Sequence, residues 1–163
     1  EAEKSFKTAL QHSPQNAGIH NNLGLLLKEK GNTNEAIISF ENAIKINPGL
    51  AIYHNNLGTV LTRIGQFTKA SESYNKALML QPNSAATYFN IGITKSMMGE
   101  LETALSSYQK ADQLNPNSAD IYNNMGNTYK ALGSLDTAIK YYRKAIKISP
   151  DAMPTAPPIN LKF

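Results

Sequence analysis

The sequence contains no cysteine and no long apolar run, and each absence excludes a class of protein. Without cysteine there are no disulfides, no thiolate metal sites and no cysteine nucleophiles. The apolar runs, such as residues 25 to 27, fall far below the roughly 18 residues that would span a bilayer. The sequence also lacks an Asn-x-Ser/Thr glycosylation acceptor. These absences predict no membrane span and favour a reducing, cytoplasmic setting.

Residues suited to catalysis are scarce as well. Only His12, His20 and His54 are candidates for a base at neutral pH. No phosphate-binding glycine loop, metal-spaced cluster of His and Asp, or nucleophile elbow is present. The sequence therefore predicts a protein that is not an enzyme and that carries no cofactor or metal.

A repeat of 34 residues runs through most of the chain. Several residue classes recur in step: a proline, two classes of glycine, two of alanine and one aromatic position. The prolines alone fall at five evenly spaced positions, Pro14, Pro48, Pro82, Pro116 and Pro150. Agreement between independent classes predicts a repeat architecture.

Each repeat unit is predicted to form two helices. Apolar residues recur at helical intervals, and the glycine class of Gly31 and Gly65 sits where a first helix needs a left-handed C-terminal residue. The aromatic class, which includes Phe40 and Tyr74, is predicted to fill the space between neighbouring hairpins. Such hairpins bury their apolar faces only by stacking. The predicted fold is all-α, a superhelix (α-solenoid) of antiparallel helix pairs.

The repeat register divides the chain into six segments. They are the second helix of a truncated repeat at 1–16, four repeats at 17–50, 51–84, 85–118 and 119–152, and a proline-rich extended tail or linker at 153–163. Glu1 in place of methionine predicts an excised or processed start. The half-repeat at the amino end and the alternating Ile159, Leu161 and Phe163 of the tail suggest self-association through repeat ends or the tail.

This pattern resembles the tetratricopeptide repeat family. The resemblance covers about residues 1 to 152, and one unit carries it as Leu57-Gly58, Gly65, Ala70, Tyr74, Ala77 and Pro82. One departure is Lys95, which occupies the position of Leu27, Leu61 and Tyr129; it predicts looser packing there, or a stem that reaches out to solvent. The resemblance implies a right-handed superhelix whose first helices line a concave, protein-binding groove.

Asparagines occupy the predicted groove in every repeat. Asn is a mediocre helix former, so its recurrence in mid-helix asks for a reason. A carboxamide both donates and accepts hydrogen bonds, which matches the backbone of an extended peptide. Stacked helices lie roughly 8 to 10 Å apart, and an extended chain advances about 3.3 Å per residue. One asparagine per repeat would therefore contact the peptide at about every third residue. The predicted ladder consists of Asn22, Asn56, Asn90 and Asn124, flanked by Asn21, Asn55 and Asn123.

The ladder is similar to that of the repeat array in O-linked N-acetylglucosamine transferases, with Asn124-Met125-Gly126-Asn127 as the nearest local match. That resemblance implies the holding of a substrate or adaptor, since the catalytic domain is absent from these residues. The alternative is that each asparagine bonds only to its own helix or to a neighbouring one.

The third repeat adds an apolar feature to the predicted groove. Phe89, Ile93 and Met97 follow i, i+4, i+8 spacing and should share one helix face. They are candidates to accept a hydrophobic anchor of the ligand, and the alternative is a stripe that packs against the next unit.

Charges in the predicted groove are few, with Arg63 and Lys130 among them. A different tetratricopeptide subclass grips C-terminal carboxylates with Lys and Arg, and that clamp is absent. The predicted partner is a protein or peptide in extended conformation.

A rival function follows from the net charge of +4. A basic stripe at i, i+3, i+4, i+7 spacing on the last helix invites nucleic-acid or anionic-surface binding; it consists of Lys140, Arg143, Lys144 and Lys147. Second helices face outward in this architecture, which favours a solvated face and argues against nucleic acid as the partner.

Overall fold

The computed structural model describes residues 1–150, so the predictions for the tail at 153–163 lie outside the described residues. The described chain contains nine α-helices and falls into two compact units, one of Glu1–Pro82 and one that begins at Asn83. The helices are α1 (Ala2–His12), α2 (Ala17–Glu29), α3 (Thr33–Ile46), α4 (Ala51–Arg63), α5 (Phe67–Leu80), α6 (Ala85–Met97), α7 (Leu101–Leu114), α8 (Ala119–Ala131) and α9 (Leu135–Ile148).

Each complete repeat holds one helix pair. Helices α2 and α3 pack together, as do α4 and α5, α6 and α7, and α8 and α9. Within the first unit α1 also packs on α2, and α3 packs on α4; within the second, α7 packs on α8. First helices touch one another as well, α2 with α4 and α6 with α8.

A left-handed glycine closes each first helix, as predicted. Gly31 has φ of +81°. Its N–H donates to the Lys28 carbonyl at 3.2 Å, and the next N–H, of Asn32, donates to the Leu27 carbonyl at 2.9 Å. This pair of hydrogen bonds satisfies two carbonyls at the helix end and turns the chain back. The equivalent glycines at 65, 99 and 133 have φ of +75° to +80°.

The aromatic class packs on the first helix of its own hairpin and also shares a core cluster with the next hairpin, as Phe40 does with Val60, in line with the prediction. A Cβ added at Gly58 would lie 2.5 Å from Cε1 of Tyr74, and one added at Gly24 would lie 2.7 Å from Cε1 of Phe40. The ring therefore packs directly on the backbone of the first helix. Phe40, Tyr74 and Tyr108 are at most 1% exposed, so the missing side chain at each glycine is what brings the two helices together.

Lys95 fits its unusual position through an ion pair. Its Nζ donates to Oε2 of Glu100 at 2.7 Å, across the turn that joins α6 to α7. Its carbonyl also accepts the N–H of Glu100 at 2.9 Å. The stem is half-buried while the ammonium finds a carboxylate, which favours the predicted alternative of a stem that reaches outward.

Candidate functional site

The predicted asparagine ladder begins as a chain of three linked carboxamides on α2 and α4. Asn56 Nδ2 donates to Asn21 Oδ1 at 2.9 Å. Asn21 Nδ2 in turn donates to Asn22 Oδ1 at 3.3 Å. Asn21 and Asn56 are 8% and 7% exposed, whereas Asn22 is exposed. The chain of amides therefore runs from a buried contact between two repeats to the surface.

The other asparagines of the predicted set are buried or half-buried. Asn55 and Asn123 are both buried. Asn127 is half-buried, and its Oδ1 accepts a hydrogen bond from the Tyr142 hydroxyl at 2.8 Å. Asn90 is half-buried, and its carbonyl accepts from Thr94 Oγ1 at 2.8 Å. Part of the set therefore contributes to helix packing as well as to a surface.

The step from α6 to α8 lacks the amide chain. Phe89 stands where Asn21 stands two repeats earlier, and it presents no acceptor. Asn124 accordingly turns to its own helix, where Nδ2 donates to the Asp120 carbonyl at 2.8 Å. The ladder residues are thus chemically equivalent in sequence but not in their hydrogen bonds.

Phe89 and Ile93 are half-buried and pack against the hydrophobic core of the second unit. The Phe89 ring lies 5.9 Å from the Tyr108 ring, centroid to centroid. Met97 is half-buried too. This placement favours the packing stripe among the two predicted alternatives, with the half-exposed edges left as contact surface.

Of the two predicted basic groove residues, Arg63 has a partner inside the protein. Its Nη1 donates to the Lys28 carbonyl at 2.9 Å, so α4 caps the end of α2. Lys130 is exposed in the last turn of α8.

Two of the three histidines hold a loop. Nε2 of His20 lies 3.0 Å from the Pro14 carbonyl, and Nε2 of His54 lies 2.9 Å from the Pro48 carbonyl. The equivalent placement, one repeat apart, gives both residues a structural role.

The basic stripe on α9 is exposed at all four positions. One of its members is nevertheless held against aromatic rings: Lys144 Nζ lies 5.2 Å from the ring centroid of Tyr122 and 5.0 Å from that of Tyr141. Tyr141 also stacks on Tyr129, with centroids 5.2 Å apart and planes within 13°. We call Tyr122, Tyr129, Tyr141, Lys144 and Asp112 the tyrosine cluster.

Asp112 brings a carboxylate to this cluster. Burial raises the pKa of Tyr122, and the neighbouring Asp112 carboxylate raises it further. Sequence reasoning missed Asp112 and Tyr141, although a signal was available. Asp112 replaces the apolar residues Ile44 and Leu78 of earlier repeats, and the serines that correspond to Tyr141 are Ser39, Ser73 and Ser107.

No helix within residues 1–150 is both long and apolar enough to cross a membrane.

Comparison with known proteins identifies the repeat. A model described as a tetratricopeptide repeat matches residues 15–81 and 49–111. A second, described as a TPR repeat, matches 97–133, and a third, again a tetratricopeptide repeat, matches 119–152. None of the curated proteins matches the chain significantly.

Solved structures share the fold. A crystal structure of MamA is 26% identical, with a TM-score of 0.77, over 91% of this chain and 86% of that one. TTC0263, a thermophilic TPR protein in Thermus thermophilus, is 22% identical, with a TM-score of 0.80, over 91% and 82%. PilF of Pseudomonas aeruginosa is 25% identical, with a TM-score of 0.77, over 83% and 62%.

These neighbours confirm the predicted all-α class of repeated helix pairs. None of the three descriptions names a glycosyltransferase, so the resemblance to that repeat array stays a prediction.

Proposed function

The chain belongs to the tetratricopeptide repeat family, and on that premise we propose that it is a protein-protein interaction scaffold whose first helices bind extended peptide segments. The observation that carries the proposal is the amide chain of the first unit. Its terminal member, Asn22, is exposed and accepts a hydrogen bond from Asn21. That bond orients the Asn22 carboxamide and leaves its two N–H groups for another acceptor.

Linked amides polarise one another, so a donor at the end of such a chain is a stronger donor than an isolated one. A peptide carbonyl is the natural acceptor because every residue carries one, whatever its side chain. The proposed recognition is therefore of main chain first. In the second unit, taken by itself, the half-buried Phe89 and Met97 would offer such a segment an apolar contact.

The test compares Asn22→Ala with a matched control, Asn75→Ala, which removes an exposed asparagine from the second helix α5. Peptides selected from a random phage-displayed library on the unaltered chain serve as probes, and isothermal titration gives their affinities. We expect Asn22→Ala to weaken binding by about tenfold, the value of one hydrogen bond, and the control to leave it unchanged. Equal affinities for the two variants would reject the role of Asn22.

Asn22 is a better probe than the buried members of the ladder. Replacing Asn56, Asn90 and Asn124 together removes the buried bond from Asn56 to Asn21 as well. The loss of that bond lowers stability, so a drop in affinity has two causes. Asn22→Ala leaves the contact between α2 and α4 in place and removes only the long 3.3 Å bond from Asn21 Nδ2, so the melting temperature should fall less than in the triple variant.

An alternative function rests on the exposed basic stripe of α9. Lys140, Arg143 and Lys147 present three cations to solvent beside Lys144, which suits a polyanionic surface. Binding to RNA or to anionic vesicles would then fall steeply with added salt. Binding of the selected peptides, which relies on uncharged amides, should change little over the same range of salt.

A second alternative is that the array recruits substrates for a glycosyltransferase. It rests on the sequence resemblance around Asn124-Met125-Gly126-Asn127 alone. Self-association through the repeat ends or the tail is likewise a proposal from sequence, and sedimentation before and after deletion of residues 153–163 tests it.

A further inference from the structure

The tyrosine cluster departs from the repeat at two positions that carry its chemistry. Asp112 occupies a position that is Ile44 or Leu78 in earlier repeats, and Tyr141 occupies one that is otherwise serine. In those repeats the serine simply donates to the carbonyl four residues before it, as Ser73 Oγ does to Lys69 at 2.9 Å. An aliphatic residue and a serine are thus sufficient for packing at these positions. Packing alone does not account for an acid and a large aromatic ring.

The three rings, two on α8 and one on α9, form a wall. Tyr129 and Tyr141 lie parallel, and Tyr122 meets Tyr141 with centroids 6.1 Å apart and planes inclined at 47°. Tyr129 and Tyr141 are half-buried, and Tyr122 is 8% exposed. Lys144, itself exposed, places its ammonium over the angle between Tyr122 and Tyr141. The negative ring faces therefore already attract a cation.

The Asp112 carboxylate beside this wall is hydrogen-bonded to the Tyr122 hydroxyl, but one of its two oxygens has no donor. Oδ1 of Asp112 is inaccessible to solvent, and no residue that the structure describes donates a hydrogen bond to it. Nor does Lys144 form an ion pair with it; the described ion pairs involve other residues. A buried carboxylate oxygen without a donor is costly. The site offers ring faces to a cation and an acceptor to the N–H groups of that cation. Lys144 contacts the rings but does not donate to Oδ1 of Asp112.

We propose that the tyrosine cluster is a binding site for a guanidinium group, that of an arginine side chain on a partner protein, and that Lys144 occupies the rings when the partner is absent. A guanidinium is planar, stacks on aromatic faces and carries five N–H donors. It therefore matches the tyrosine wall through its plane and the half-buried Asp112 carboxylate through its N–H groups, which reach Oδ1 once Lys144 has left the rings. This site is separate from the carboxamides of the first helices and does not depend on them.

The experiment measures binding of acetyl-arginine amide to the full chain by isothermal titration, with the tyrosine ring resonances followed by NMR. Acetyl-citrulline amide has nearly the same shape without the charge and is the matched ligand control. We expect Lys144→Ala to bind the arginine probe about tenfold more tightly than the unaltered chain, because no resident cation has to leave the rings. The citrulline probe should not bind measurably.

Two variants copy other repeats at the site and should abolish binding when combined with Lys144→Ala. Asp112→Leu restores the residue type of Leu78, and Tyr141→Ser restores that of Ser107. Asp112→Leu replaces a half-buried carboxylate by the residue that an earlier repeat carries at this position, so the variant should fold, and its melting temperature checks this. Loss of binding in this folded variant therefore reports on the carboxylate.

Free arginine distinguishes a partner side chain from a small molecule. Tighter binding of the blocked probe supports an arginine within a protein, and tighter binding of free arginine supports the same site with a small-molecule ligand. The proposal is overturned if arginine and citrulline probes bind Lys144→Ala alike, or if neither binds.

Discussion

The step from α2 to α4 and the step from α6 to α8 join equivalent helices by different chemistry. In the first unit the contact is polar: Asn56 donates to Asn21, and Arg63 donates to the Lys28 carbonyl. In the second, Phe89 takes the place of the acceptor, and Asn124 bonds to its own helix. The same repeat register thus tolerates a buried amide pair or an aromatic contact.

The difference shows what the repeat fixes and what it leaves open. Glycine at the helix crossing and at the helix end sets the backbone of both units, as the contacts of Gly24 and Gly58 illustrate. The residue at the first-helix contact then decides whether a neighbouring asparagine pairs across repeats. Sequence identity within the ladder is therefore not evidence of equal function.

Exchanging the aromatic contact for an amide gives the largest expected effect. Phe89→Asn should lower the free energy of unfolding by about 3 kcal/mol, because it removes ring packing on Tyr108 from a core. Urea denaturation gives the change. The new amide should also draw Asn124 away from the Asp120 carbonyl, which would shift the Asn124 side-chain NH2 resonances. Unchanged resonances would mean that the partner of Asn124 is not set by residue 89.

The two ladder positions should respond unequally to the same substitution. Asn56→Ala leaves the buried Asn21 Oδ1 without its donor, at a cost of about 2 kcal/mol. Asn124→Ala loses only a bond within its own helix and gains helix propensity, so its effect should stay within about 0.5 kcal/mol. Thermal unfolding of the pair measures the contrast, and equal losses would remove the distinction between the two steps.

Arg63 tests the second polar link of the first unit. Arg63→Met copies Met97 of the next repeat and removes the donor to the Lys28 carbonyl. We expect a loss of about 1 kcal/mol in urea denaturation. Lys76→Met, an exposed basic residue on α5, is the control. A similar loss of stability in both variants would mean that the removed positive charge, and not the hydrogen bond to Lys28, is responsible.

The smallest expected effect is that of acid, which should weaken the attachment of α1 in the first unit. Lys30 and Lys7, at 2.6 and 2.7 Å, lower the pKa of Glu3 to about 2. Since the folded pKa lies below the ordinary value, this contribution is present above about pH 4.5 and is lost as the pH falls toward 2. Hydrogen exchange should show α1 loosening over that range. Unchanged protection of α1 would contradict the role of Glu3.

The sequence predicted the helix pairs because the repeat positions impose backbone geometry directly. Gly31 has a positive φ, and proline follows the end of each second helix, so local chemistry sets the elements. The partners of the asparagines depend instead on what lies across the helix contact. Asn21 and Phe89 occupy the same position of the repeat. Their different effects on the asparagine of the next first helix follow from contacts in the fold and not from the repeat pattern.

The tyrosine cluster has a spectroscopic consequence. The chain has no tryptophan and eight tyrosines, and only Tyr53 and Tyr74 precede Asn83. Near-ultraviolet absorption and emission of the unlabelled protein therefore come mainly from the second unit, whereas far-ultraviolet ellipticity reports on helices of both. Following one denaturation with the two signals asks, without any added dye, whether the units melt together.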